Sequence, residues 1–269
     1  MMNILLPTDF SENSRNAAAY ALQFFKDTPC NFHLLHVIPV PADKLLNDYM
    51  SMSSAVKENF DNLLSWLESI KINAEHSFHI CFKANYLIDA VRAKVQEKNI
   101  DLILMGTKGK TNNQGVVIGK NTSDVMMKVR CPVLAISENA VFKEHRQILF
   151  PTDYKIHYGN KMLRTLFNLA SLSKANVKIL ELFNTENEPL PDQVENRSFL
   201  QDSFSPRIPV LQTHYSSKEQ NSKKIFLANR NVDMIVLAAK NLNLCQKFLQ
   251  NDQKENIPFI NQLPLLVLH

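Results

Sequence analysis

Apolar and polar positions alternate along this chain at two rhythms. Ile4-Leu5-Leu6 is a short continuous apolar run closed by Pro7-Thr8-Asp9, the pattern of a strand buried on both faces. After it, Ser11 is placed to cap a helix whose inward face carries Ala18, Ala21, Leu22 and Phe25. Residues 32–38 predict a second strand, ended by Pro39 and Pro41. A long amphipathic helix over 52–71 follows, with Val56, Phe60, Leu63, Leu64 and Leu67 inward. Strands are expected at 78–82, 101–105 and 132–136, with helices at 86–98 and 122–129. A glycine-containing loop covers 106–120.

The same order then recurs. Ile4-Leu5-Leu6-Pro7-Thr8-Asp9-Phe10 and Ile148-Leu149-Phe150-Pro151-Thr152-Asp153-Tyr154 agree at five of seven positions. Asn99 to Met105 resembles Asn231 to Leu237, and Cys131 to Ile136 resembles Leu263 to Leu268. The first match is offset by 144 residues and the others by 132, so the second copy is 12 residues shorter. Such ordered matches mark an internal duplication. The boundary falls in the polar stretch from Asn139 to Arg146, giving domains of 1–140 and 146–269. Second-copy strands are expected near 147–150, 177–182, 208–214, 233–237 and 264–268, and helices near 157–174, 217–230 and 251–260. Residues 185–207 are polar and contain Pro189, Pro191 and Pro206, so a helix there is expected to be short or disordered.

Alternating strands and helices put the chain in the α/β class. The expected architecture is two tandem doubly wound, Rossmann-like units. Each would have a five-stranded, mostly parallel sheet in the order 3-2-1-4-5. In that order the chain reverses between strands one and four, where such folds bind ligands. Pro7-Thr8-Asp9 and the loop from Gly106 follow those two strands directly.

Composition narrows the function. Among the 269 residues, 45% are hydrophobic and 21% charged, as in a globular protein. The net charge of +4 is mild and its basic residues are scattered, which argues against nucleic acid as a partner. No apolar run approaches the ~20 residues of a membrane helix, and no basic region precedes the first apolar run, so a cytoplasmic protein without a signal peptide is expected. Cys30, Cys81, Cys131 and Cys245 form no C-x-x-C pair and read as buried thiols. His33 and His36, and His76 and His79, lie three apart on strands and so face opposite sides, which gives no metal site. Asp101 and Asp233 precede buried strands and read as caps of the strand entry. No catalytic set can be assembled, and no metal ligand is assigned.

The chemistry concentrates in one loop. Four of the five glycines in the chain lie between Gly106 and Gly119, with Lys108, Lys110 and Lys120 among them. Glycines let backbone amides approach phosphate oxygens, and the helix opening at Gly119–Thr122 presents its positive end to an anion. The loop is not a P-loop: only three residues separate Gly115 from Gly119, and Asn121 replaces Ser or Thr.

These residues resemble the universal stress protein family. Pro7-Thr8-Asp9-Phe10-Ser11 matches the family's P-T-D-x-S setting. Gly106, Gly109 and Gly119 match the G-x2-G-x9-G spacing of its ATP-binding members, and Cys131-Pro132-Val133-Leu134 matches its typical ending. The resemblance covers the whole chain as two such domains. It implies ATP or AMP, with magnesium, in the first domain. Pro7, Thr8, Asp9 and Val37 would border the adenosine part. Met105, Gly106, Lys108 and Gly109 would line the ribose and phosphates. Gly119, Lys120, Asn121 and Thr122 would hold the phosphates. Lys120 departs from the family, which has Ser or Thr there.

The second copy keeps Asp153, but its loop, Ala238 to Cys245, holds no glycine, so no nucleotide is expected there. Its expected role is that of a pseudo-dimer partner within the chain, covering a sheet edge as family members do on pairing. A homodimer and an unidentified protein partner are further expectations of the family. The resulting expectation is a regulatory stress-response protein that binds nucleotide and is not an enzyme. The alternatives are a nucleotide-independent scaffold and a slow ATPase.

Overall fold

The computed structural model describes residues 1–39, 53–107, 118–144, 147–181, 188–204, 213–214, 231–241 and 263–269. It divides into two compact units, Met1–Phe142 and Lys143–His269.

In the first unit the chain runs β1 (Met2–Pro7), α1 (Glu12–Phe24), β2 (Cys30–Ile38), α2 (Ser54–Ile70), β3 (Ser77–Ala84), α3 (Leu87–Glu97), β4 (Leu102–Gly106), α4 (Lys120–Lys128) and β5 (Val133–Ile136). The strands lie in the order β3-β2-β1-β4-β5, and every neighbouring pair is parallel. The second unit runs β6 (Gln147–Thr152), α5 (Asn160–Leu172), β7 (Asn176–Glu181), α6 (Pro191–Phe204), β8 (Thr213–His214), β9 (Met234–Ala238) and β10 (Leu265–Leu268). Its order, β8-β7-β6-β9-β10, is the same topology, again parallel throughout. Both units are thus doubly wound α/β sheets of order 3-2-1-4-5. The expected helices at 217–230 and 251–260 lie outside the described residues, as do most of the expected strand at 208–214 and Cys245.

The duplication holds at the level of single bonds. Ile4 is in register with Leu102, and Ile148 with Met234. Asp101 accepts the Asn3 N–H at 2.8 Å, and Asp233 accepts the Gln147 N–H at 3.0 Å. Each aspartate therefore ties strand one of its unit to strand four at their amino ends. Phe10 and Tyr154 both sit at positive φ, 61° and 56°. Bulky side chains avoid this region, so each unit holds its residue there against a local cost.

Local chemistry explains the helix starts. Ser11 Oγ accepts the Ser14 N–H at 3.2 Å, capping α1 as expected, and Glu12 favours the same end electrostatically. Ser53 caps α2 through the Val56 N–H at 3.3 Å. Arg92 of α3 donates two hydrogen bonds to the Lys128 carbonyl, at 3.1 and 2.7 Å, satisfying the end of α4. Cys30, Cys81 and Cys131 are buried free thiols.

One expectation fails. Residues 191–204 form a regular 14-residue helix rather than a short or disordered segment. The prolines do not interrupt it, because Pro191 occupies the first helical position, where its missing N–H costs nothing. The buried positions are Gln193, Asn196, Leu200 and Phe204, a helical stripe in which two of four residues are polar. Apolar periodicity alone therefore does not reveal it. Gln193 Nε2 donates to the Asp153 carbonyl at 2.6 Å and Asn196 Nδ2 to the Tyr154 carbonyl at 3.0 Å, which satisfies both amides.

Candidate functional site

The parallel order brings the carboxyl ends of β1 and β4 side by side, with β2 next to β1. The residues expected to bind a ligand lie on these ends. Pro7 closes β1, and the Thr8 N–H donates to the Leu35 carbonyl at 2.8 Å, which ties the turn to β2. Asp9 Oδ1 accepts from the Ser11 N–H at 3.1 Å and from the Ser11 hydroxyl at 2.5 Å. The carboxylate is thereby fixed at the mouth of the turn. Thr8 Oγ1 accepts the Phe10 N–H at 3.0 Å and shares a 3.1 Å bond with the Ser14 hydroxyl.

His36 donates from Nδ1 to the Thr8 carbonyl at 2.8 Å and lies against the Phe10 ring, with centroids 4.5 Å apart. Phe10 meets Phe60 of α2 edge-on at 5.0 Å. These contacts offset the backbone cost at Phe10. Val37 follows His36 near the end of β2, half-buried and in register with Lys83. Sequence reasoning weighs His36 only with His33 as a metal pair, and passes over Ser14, which stands in no spacing that signals a site.

On β4, Met105 and Gly106 are buried and in register with Ala135 and Ile136. A Cβ on Gly106 would stand 2.8–2.9 Å from the side-chain amide of Asn13 in α1. Any side chain at 106 would therefore have to displace that of Asn13. Gly106→Ala is expected to cost about 1–2 kcal/mol by forcing Asn13 aside. Urea unfolding checks this, and the cost should shrink in an Asn13→Ala background.

Lys108 and Gly109 lie outside the described residues. The Gly119 N–H donates to the Thr107 carbonyl at 2.6 Å, which joins the start of α4 to the end of β4. Gly119 then caps α4 without a side chain, leaving its end to the backbone. Lys120 does not lie across that end. Its side chain is 88% exposed and pairs with Asp124 one turn on, at 2.9 Å. Asp124 is held below the usual carboxylate range by Lys128 first and Lys120 second. Asn121 is exposed, whereas Thr122 is buried and donates its hydroxyl to the Gly106 carbonyl at 2.7 Å. Thr122 therefore joins α4 to β4.

The corresponding edge of the second unit is built differently. Asp153 Oδ1 accepts the Lys155 N–H at 3.2 Å and the Asn241 side-chain amide at 2.6 Å. Glu181, fully buried at the end of β7, takes both arms of Arg197 at 3.1 and 3.0 Å and the Tyr154 hydroxyl at 2.8 Å. The Thr152 and Tyr158 hydroxyls bond to each other. Among the described residues no group of His, Cys, Asp and Glu is arranged to hold a metal ion, and no helix is long and apolar enough to cross a membrane.

Two doubly wound units, each with an aspartate after its first strand, define a tandem Rossmann-like protein. Residues 1–63 and 87–137 match the model of the universal stress protein family. The match lies wholly within the first unit, and that unit belongs to the family. It is 25% identical over 141 residues to the universal stress protein MJ0531 of Methanocaldococcus jannaschii, covering 50% of this chain and 81% of that one. It is 29% identical over 154 residues to MJ0577 of the same organism, covering 49% and 93%. Over its whole length it shares its fold with a universal stress protein from Archaeoglobus fulgidus, at a TM-score of 0.63 and 17% identity, covering 99% of this chain and 97% of that one.

Proposed function

We propose that the chain is a regulatory stress-response protein of the cytoplasm that binds ATP or AMP in its first unit and acts by binding, not turnover. One observation carries the reading: the Gly106, Gly109, Gly119 spacing follows β4 directly, beside Asp9 at the end of β1. In this reading Pro7, Thr8, Asp9 and Val37 border the adenosine, with the Asp9 carboxylate accepting from a hydroxyl or amino group. Met105, Gly106, Lys108 and Gly109 lie along the ribose and phosphates. Gly119, Lys120, Asn121 and the first turn of α4 receive the phosphates, which arrive with magnesium in the case of ATP. The exposed position of Lys120 supports this, because its ammonium pairs with Asp124 one turn on and does not lie across the start of α4.

Mass spectrometry of small molecules released from the native protein is expected to find an adenine nucleotide. Calorimetric titration with ATP should give measurable heat, and Gly109→Val should weaken binding at least about tenfold by placing a branched side chain where a phosphate needs backbone amides. No heat with the parent chain would sink the reading. It would favour a nucleotide-independent scaffold, for which the departure at Lys120 is the motivating observation.

A further inference from the structure

We infer that Asn241 is a latch that closes the crevice of the second unit by occupying, with its own side chain, the position at Asp153 that a ligand would take. That this crevice is the counterpart of a nucleotide site rests on the reading above, whereas the latch itself rests on its own geometry. The repeat register places Asn241 at the position of Gly109. The residue is 5% exposed, and its side chain reaches from the turn after β9 to the turn after β6, donating to Asp153 Oδ1 at 2.6 Å. The Asn241 N–H donates to the Ala238 carbonyl at 2.9 Å, which fixes the turn that aims the side chain. The bond crosses the reversal point of the strand order, where a ligand would enter such a fold.

The neighbouring positions have changed in concert. In the first unit the aspartate takes its second donor from Ser11, which is local to the same turn. The equivalent residue in the second unit is Lys155, which supplies only its backbone N–H, and the missing donor comes instead from across the crevice. Gln193 adds a third bond by donating to the Asp153 carbonyl at 2.6 Å from α6. His36 and Phe10 are replaced by Glu181 and Tyr154, which bond each other and Arg197. In the second unit the polar groups at these positions are bonded to partners within the chain, across the crevice as well as locally. The second unit is thereby fixed in a self-liganded state.

The test is native-state hydrogen exchange on the full chain. Asn241→Ala is expected to speed exchange of the Lys155 amide at least about tenfold and to leave the Asn3 amide of the first unit unchanged. Asn241→Asp, equal in size but facing Asp153 with a second carboxylate, should exceed that effect. A role in packing alone would leave the aspartate variant like the parent. Added ATP should leave exchange at Lys155 unchanged in the parent chain. Parent-like exchange at Lys155 in Asn241→Ala, or slowing there by ATP in the parent, overturns the latch. Failure of ATP to protect any first-unit amide would instead count against the nucleotide reading and leave the latch standing.

Discussion

Arg197→Met is expected to lower the unfolding midpoint of the second unit by on the order of 10 °C. The reason is the environment of Glu181. That carboxylate is fully buried at the end of β7, and Arg197 meets it with two bonds, at 3.1 and 3.0 Å, in the fork geometry that guanidinium and carboxylate share. The Tyr154 hydroxyl donates a third. Burial, then the hydrogen bond to Glu181, pushes the tyrosine well above its ordinary range, so it stays a donor at every accessible pH. Removing the guanidinium takes its charged partner from a buried carboxylate, at a cost of about 3–5 kcal/mol. The Arg197 side chain is 36% exposed, so water can enter in its place and the lower end applies. For a domain of this size about 3 kcal/mol corresponds to roughly 10 °C. Removing the pair together, as Glu181→Leu with Arg197→Met and Tyr154→Phe, should restore most of the midpoint, because no charge then remains buried. Scanning calorimetry decides it: an unchanged midpoint in Arg197→Met would show that Glu181 finds water or another donor.

The sheet was legible in the sequence because its strands are continuous apolar runs. Ile4-Leu5-Leu6 and Val133 to Ile136 can only be buried on both faces, and the repeat fixed their order twice over. What escaped was polar burial. The helix at Pro191–Phe204 has Gln193 and Asn196 on its inner face, and their amides matter only because the carbonyls of Asp153 and Tyr154 lie opposite. No pattern within the helix announces those partners. The candidate site divides similarly. Asp9 and the glycines carry a spacing, whereas the close contact of Gly106 with Asn13, ninety-three residues earlier, appears only when α1 packs on β4. Thr122 shows the reverse case. Its position suggests a phosphate ligand, but its hydroxyl is spent on the Gly106 carbonyl. Reading histidines in pairs along a strand also hid the pairing that matters, which runs across strands.

That pairing is His33 with His79, register partners on β2 and β3 whose rings stack with centroids 5.1 Å apart. It makes the first unit sensitive to acid. His33 is 5% exposed, and neither ring nitrogen has a hydrogen-bond partner among the described residues. The charged and titratable groups that act on it are His79 on β3, Lys94 and Glu97 on α3 and Lys98 just after it, so cations outnumber the one carboxylate, which itself pairs with Lys94 at 2.8 Å. Burial first, then His79 and the two lysines, lowers the His33 pKa to about 4. The folded state thus refuses a proton that the unfolded chain accepts at an ordinary histidine value. The contribution is intact above about pH 6.5 and is lost progressively as the pH falls towards 4. The full gap corresponds to about 3 kcal/mol by pH 4. Carboxylates protonate in the same range, so the comparison that isolates His33 is parent against His33→Phe, which keeps a ring against His79 and cannot titrate. Urea unfolding of the first unit at pH 7 and pH 4.5 should show the parent losing about 2–3 kcal/mol more than the variant. Parallel losses in the two proteins would mean that the folded unit opens enough to hydrate the imidazolium, and the buried pair would then have no part in the acid response.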